Sequence, residues 1–272
     1  MTALSIFLGS LLALFILYFL ILRCRHGHKM LKKLQNWDYA HRGLHGDGVP
    51  ENSMAAFRLA LEGGYGIELD VHLMADGNLA VIHDASLKRT AGADVLIEDL
   101  TLADLENYRL EGTEEKIPLF RDVLALYEGK APMIIELKAE RGNHGKLAEA
   151  VCGILEDYKG DYCLESFDPR VIHWLRKNRP CKCRGQLSEN FFRSPKSKLP
   201  PILKFVMTHQ LVNFLVVPDF VAYKFADRKH LGLWLSRHLW GAQGVTWTIT
   251  NQADCHKAKK EGYLVIFEGF KP

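Results

Sequence analysis

Between residues 133 and 267 the chain alternates short β-rich apolar runs with segments of helical character, and this alternation most restricts the fold. Strand-type runs at 133–138, 162–167, 183–187, 214–217, 245–250 and 264–267 are separated by helix-type segments at 146–158, 169–177, 226–239 and 252–261. Such a pattern predicts βαβ units and a parallel sheet. Two further strands precede it, one ending in His41-Arg42 and one running through residues 66–72. The second is followed by Asp76-Gly77 and a returning run at 79–83, the signal of a tight hairpin. The returning run must be antiparallel and is set apart. Eight parallel strands remain, ending at Arg42, Asp70, Lys138, Phe167, Leu187, Pro218, Thr250 and Glu268, and they predict a closed TIM (β/α)8 barrel with a small hairpin-containing insertion after strand 2. An open doubly wound sheet is the alternative, but no glycine-rich phosphate turn follows the first strand.

The hairpin also gathers chemistry. With Asp76-Gly77 as a two-residue turn, Asp70 lies opposite His83, Glu68 opposite Ala85 and His72 opposite Val81. Side chains alternate with period two, so Glu68, Asp70 and His72 share a face and His83 joins them. Adjacent carboxylates repel unless a cation lies between them, and hard oxygen donors favour Ca²⁺ or Mg²⁺. Ahead of the hairpin, Pro50-Glu-Asn-Ser53 opens a helix with Asn52 or Ser53 as its cap. After it, 101–108 reads as a short helix capped by Thr101, and 118–127 as another with Pro118 in its first turn.

Residues 3–22 carry no charge, and about 20 such residues span a bilayer's hydrocarbon core. A cleaved signal peptide fits worse: no basic residues precede the run and no small-x-small site ends it. Arg23, Arg25, Lys29, Lys32 and Lys33 follow without an acid, leaving 30 basic against 32 acidic residues in the rest of the chain. The expected division is therefore an anchor at 1–24, a basic juxtamembrane linker at 25–36 and a barrel domain at 37–272. By the positive-inside rule the protein is a single-pass cell-membrane protein with its barrel in the cytoplasm. The body's near-neutral charge excludes a broad nucleic-acid surface. Six cysteines without regular spacing suit a reducing compartment.

The barrel's strand ends bring together three carboxylates, two histidines, an arginine and a lysine: Glu68, Asp70, Glu136, His41, His83, Arg42 and Lys138. The carboxylates suit a divalent cation, the basic groups an anionic oxygen-rich group, and the imidazoles a base and an acid near neutral pH. Phosphodiester cleavage requires all of these functions.

The ordered set Ala40-His-Arg-Gly43, Pro50-Glu-Asn-Ser53, Glu68-Leu-Asp70, His83-Asp84, Ile117-Pro118, Glu136-Leu-Lys138, Ser166-Phe167 and Trp247-Thr248 resembles the glycerophosphodiester phosphodiesterase family over residues 37–270. The resemblance implies a TIM barrel with its insertion at 76–119. It implies Glu68, Asp70 and Glu136 as ligands of one Ca²⁺ or Mg²⁺, His41 as general base and His83 as general acid. It implies phosphate contacts from Arg42 and Lys138, an orienting or metal-touching role for Glu51, and Trp247 in the substrate pocket. One departure concerns the C-terminus: the family's Ile-Thr-Asp-x-Pro-like ending is replaced by Ile266-Phe-Glu-Gly-Phe-Lys-Pro272, with Glu268 shifted in register, which bears on the glycerol side of the pocket. The implied reaction is hydrolysis of glycerophosphodiesters to sn-glycerol 3-phosphate and an alcohol. A lysophospholipase-D-like action on bilayer lipids is the alternative, suggested by the anchor and by the basic, apolar 193–207 stretch, which otherwise reads as an ordinary barrel loop and helix. A catalytically silent binding module is disfavoured, since no catalytic residue type is missing.

Overall fold

The computed structural model describes residues 3–195 and 197–272; Met1, Thr2 and Lys196 lie outside the described residues. The chain opens with helix α1 (Ala3–Ile21), which buries none of its residues, and a short α2 (Lys29–Leu34). Strand β1 (Asp38–His41), helix α3 (Met54–Glu62) and strand β2 (Gly66–Leu73) follow, then the returning β3 (Leu79–Val81) and α4 (Lys88–Ala91). The regular alternation then runs α5 (Phe120–Tyr127), β4 (Met133–Leu137), α6 (His144–Ile154), β5 (Tyr162–Ser166), α7 (Pro169–Asn178) and β6 (Arg184–Ser188). It continues α8 (Pro201–Thr208), α9 (Asn213–Val216), β7 (Phe220–Lys224), α10 (Leu231–His238), β8 (Gln243–Ile249), α11 (Gln252–Lys260) and β9 (Tyr263–Phe267). Eight strands pair in parallel and close through the β1–β2 and β1–β9 ladders, while β3 pairs antiparallel with the overhanging end of β2. The predicted barrel and its insertion are both present.

Period-two alternation sorts the strands' side chains into two cores. Tyr39, Ile134, Cys163, Phe220, Ala222, Val245, Leu264 and Ile266 fill the barrel, with Leu31 and Leu34 of α2 in the same cluster. Ala40, Leu69, Ile135, Leu164, Val221 and Val265 face outward against the helices. The insertion carries its own small core around Met74, Ile82, Leu87 and Ile97. Residues 25–36 pack against the barrel: Arg25 bonds the Asp219 carboxylate and the Lys182 carbonyl, and Leu34 is fully buried. All six cysteines are free, and only Cys181 is exposed.

Three local expectations are corrected. The hairpin loop has three residues, Ala75-Asp76-Gly77: the Met74 amide donates to the Asn78 carbonyl at 2.9 Å and Gly77 takes φ +86°. The αL glycine that closes such a loop adds one residue, so Val71 pairs with Val81 and His72 with Ala80, one place from the expected register. The run 214–217 is a helical turn, α9, stopped by Val217 at φ 41°, and the strand is the next apolar run, β7. Two short apolar runs separated by Pro-Asp are equivalent in pattern; buried Asp219, which takes the Arg184 amide at 2.9 Å, fixes which one enters the sheet. The 101–108 segment is only a 3-10 turn at Asp104–Asn107, and Thr101 is not its acceptor cap: the Asp104 carboxylate accepts from the Thr101 amide and hydroxyl.

Candidate active site

The inward positions above the barrel's apolar core are polar. His41 pairs in register with Glu68, Asp70 with Glu136, and Glu136 with Glu165, so β1, β2, β4 and β5 present adjoining side chains at their C-terminal ends. Oxygens of Glu68, Asp70 and Glu136 lie within 4.8 Å of one another, and all three residues are buried. Lys138 Nζ reaches Asp70 at 3.0 Å and Glu136 at 2.8 Å, and Arg42 Nε lies 3.5 Å from Asp70. Burial and the neighbouring carboxylates Asp70 and Glu136 drive Glu68 well above its ordinary range. Burial also raises Glu136 against the pull of Lys138. Asp70 goes the other way: Lys138, His83 and Arg42 outweigh its burial and hold it ionised. Crowded oxygen donors with excess negative charge fit a hard divalent cation. A second grouping, His41, His45 and Glu268, is partly exposed and includes a ring nitrogen already bonded to its carboxylate. The oxygen-only trio suits Ca²⁺ or Mg²⁺ better.

Each histidine is held through one nitrogen. His41 Nδ1 bonds Glu268 at 2.5 Å, leaving Nε2 3.9 Å from Glu68. His83 Nδ1 bonds Asp84 at 2.6 Å. The insertion delivers His83 despite the changed register. The Ile82 amide donates to the Asp70 carbonyl at 3.0 Å, the chain then leaves the ladder, and the His83 carbonyl is held by His72 Nε2 at 3.2 Å. His72 shares the expected face but serves the scaffold, its Nδ1 bonded to Glu98 at 2.5 Å. Burial lowers both His41 and His83; Glu268 opposes this at the first, and Asp70 and Asp84 at the second.

A chain of ion pairs links the two halves. Arg42 donates to Glu51 at 2.9 Å, Arg89 to Glu51 at 2.6 Å and to Asp84 at 2.6 Å, and Asp84 holds His83. Glu51 thus bridges two arginines and lies outside the carboxylate trio. Arg42 itself sits at φ 55° ahead of Gly43 at φ 80°, where an added Cβ would lie 2.8 Å from that of Ala56. Ser53 caps α3, accepting from the Ala56 amide at 3.1 Å, while Asn52 instead donates to Asp70 at 2.9 Å.

His41, Arg42, Glu68, His83, Glu136 and Trp247 line one cleft of about 130 Å³, and Trp247 meets Phe167 edge-on at 5.6 Å. Asp70 and Lys138 adjoin it through their ion pair, and Glu51 through Arg42. Arg89 and Glu165 were not anticipated, and Asp84 was legible only within the His83-Asp84 motif, with no role assigned to it. Arg89 and Asp84 lie in or beside the insertion, where period gives no guidance. Glu165 was legible: the alternation Cys163-x-Glu165-x-Phe167 points it inward. It is 1 % exposed, and its Oε2 has no hydrogen-bond partner among the described residues.

Solved structures share this fold. A solved phosphodiesterase from Oleispira antarctica, in complex with the product sn-glycerol-3-phosphate, superposes with a TM-score of 0.72 at 20% identity, covering 88% of this chain and 95% of that one. A putative glycerophosphodiester phosphodiesterase from Bacillus subtilis is 34% identical over 82% of this chain and 90% of its own length. A lysophospholipase D from Rattus norvegicus is 33% identical over 45% of this chain and 42% of its own. For the other stronger short alignments too, the chain spans about half the length of the curated relatives it matches, 43% and 55%. The family model for glycerophosphoryl diester phosphodiesterases matches residues 41–267, from the histidine that ends β1 to the last residue of β9. With the carboxylates, both histidines and strands β2 to β9 inside that match, the chain belongs to the glycerophosphoryl diester phosphodiesterase family.

Proposed function

We propose that this protein hydrolyses glycerophosphodiesters to sn-glycerol 3-phosphate and an alcohol. The observation that carries the reading is the pair of histidines, each fixed at Nδ1 by a carboxylate and lining a cleft shared with buried carboxylates. Glu68, Asp70 and Glu136 hold one Ca²⁺ or Mg²⁺, which when bound supplies Lewis-acid neutralisation of the phosphoryl charge. Arg42 and Lys138 add positive charge at the phosphoryl oxygens, and Glu51 orients Arg42. Trp247 packs against the glycerol side. His41 takes the proton of the attacking oxygen at Nε2 as a P–O bond forms, whether that oxygen is water's or the substrate's own glycerol hydroxyl, whose cyclic product a water then opens to sn-glycerol 3-phosphate. His83 gives a proton from its Nε2 to the ester oxygen as that bond breaks, so the alcohol leaves neutral.

α1 supports membrane attachment, being 19 residues long with none buried. With the name of the rat relative, it favours a second substrate, the lysophospholipid of the same bilayer, cleaved at the same bond. The test offers glycerophosphoethanolamine and lysophosphatidylethanolamine separately to the purified full chain, with and without EDTA. Release of ethanolamine from the first, abolished by EDTA, supports the primary reading. Release from the second alone selects the lipid reading, and release from neither refutes both.

A further inference from the structure

α1 has a direction relative to the barrel. Its C-terminal end is fixed at the strand starts: the Arg25 amide donates to the Pro218 carbonyl at 2.8 Å, and the Arg25 side chain pairs with Asp219, just before β7. Seven residues earlier, the Tyr18 hydroxyl donates to the His209 carbonyl at 3.3 Å. His209 follows α8, which is tied to the strand ends. Ser188, the last residue of β6, donates to the Met207 carbonyl at 2.8 Å, and Tyr223, near the end of β7, donates to the Thr208 carbonyl at 3.0 Å. Phe19 stacks on Trp240 at 4.8 Å and its carbonyl accepts from the Trp240 indole, so the helix lies along the barrel's flank. α1 therefore runs antiparallel to the strands. The residues before Tyr18 continue past the strand C-termini for about 20 Å at 1.5 Å per residue, on the side of the catalytic cleft.

The rim on that side is apolar where a water-facing surface is polar. α8 reads Pro-Ile-Leu-Lys-Phe-Val-Met-Thr; Met207 is buried, yet Ile202 is 72% and Phe205 49% exposed. Phe192, 55% exposed, precedes it, and Leu231 begins α10 beside it at 55%. A helix apolar on its outer face marks an interaction surface. Exposed Arg193, Lys198 and Lys229 surround it, the basic border that an anionic lipid surface attracts. α1 leads into the same side, so this surface adjoins the bilayer that α1 enters.

We propose that the barrel rests with its catalytic mouth toward the bilayer, with α8, Phe192 and Leu231 lying on the lipid surface, so that the cleft draws its substrate from the membrane interface. The inference rests on the reading of α1 as the membrane anchor. It deepens the lipid-substrate reading by naming the face that meets the bilayer.

The full chain is reconstituted in vesicles of phosphatidylcholine and phosphatidylglycerol, and a polarity-sensitive thiol dye is placed at either end of the barrel. Native Cys181, the exposed cysteine at the start of β6, reports the strand-start end, and Ile202→Cys in a Cys181→Ser background reports α8. Acyl-chain-brominated phosphatidylcholine should quench the dye at 202 and leave the dye at 181 unaffected. In parallel, Ile202→Asp/Phe205→Asp should lower turnover of lysophosphatidylethanolamine in the vesicles at least about tenfold, the scale of losing one to two apolar anchors. The same variant should keep native turnover of glycerophosphoethanolamine. A chain that inserts but shows equal quenching at 202 and 181, or equal losses on both substrates, overturns the orientation. A chain that does not associate with vesicles overturns the anchor reading and the orientation with it.

Discussion

Replacing Glu268 with Gln isolates the role of the carboxylate that holds His41. The substitution keeps the shape and removes the charge 2.5 Å from His41 Nδ1. The hydrogen bond to His41 holds Glu268 down from 4.5 to about 2. That corresponds to roughly 3 kcal/mol of preference for the charged carboxylate. The side chain is 37% exposed, so solvent screening leaves about 1–1.5 kcal/mol, near a factor of ten. At His41 burial works downward and outweighs the upward pull of Glu268, so removing the carboxylate lowers the imidazole further. A general base acts in its neutral form. The acid limb of kcat/KM, where His41 gains its proton, should therefore move about one unit to lower pH. Turnover at the optimum should fall by about ten- to a hundredfold, the cost of losing a group that fixes an imidazole's tautomer and orientation. The assay is the pH profile of glycerophosphoethanolamine hydrolysis by native protein and variant. An unchanged acid limb with unchanged turnover would refute the account of His41 as base and Glu268 as its orienter.

Asp70→Asn should fold yet lose at least about a hundredfold in turnover, measured at saturating Ca²⁺ or Mg²⁺, because it removes charge from the centre of the trio. His83→Ala should cut hydrolysis of glycerophosphoethanolamine by about a hundred- to ten-thousandfold and that of an activated aryl ester far less, since a good leaving group needs no proton; equal losses would remove its assignment as acid. In metal-stripped protein, Glu68 sits well above its unfolded value, so its contribution to stability is present below that value and is lost as pH rises through the folded one. Relative to Glu68→Gln, whose remaining groups titrate alike, the melting temperature of the native chain should thus fall as pH is raised above the ordinary carboxylate range, and divalent cation should restore it; a difference between the two independent of pH and of cation would contradict the crowding of charge.

The barrel was legible because eight strands alternate with helices, and the site because inward positions at strand ends break the apolar pattern with His41, Glu68, Asp70 and Glu136. What escaped was set by single hydrogen bonds. Asp219 selects β7 over the equally apolar 214–217, and Gly77 in αL adds one residue to the hairpin loop. Of the two cap candidates Asn52 and Ser53, Ser53 caps α3, and Asn52 is turned onto Asp70. Arg89 comes from an insertion with its own small core, where no regular period indicates which side chains face the barrel.

Glu68, Asp70 and Glu136 are proposed to hold a divalent cation on which turnover depends. Protein stripped with EDTA is titrated with Ca²⁺ or Mg²⁺ while heat of binding and release of sn-glycerol 3-phosphate are followed on the same sample. One site per chain is expected, with turnover rising in proportion to its occupancy and both lost in Asp70→Asn. Full turnover by the stripped protein, or native binding and turnover by the variant, would contradict it.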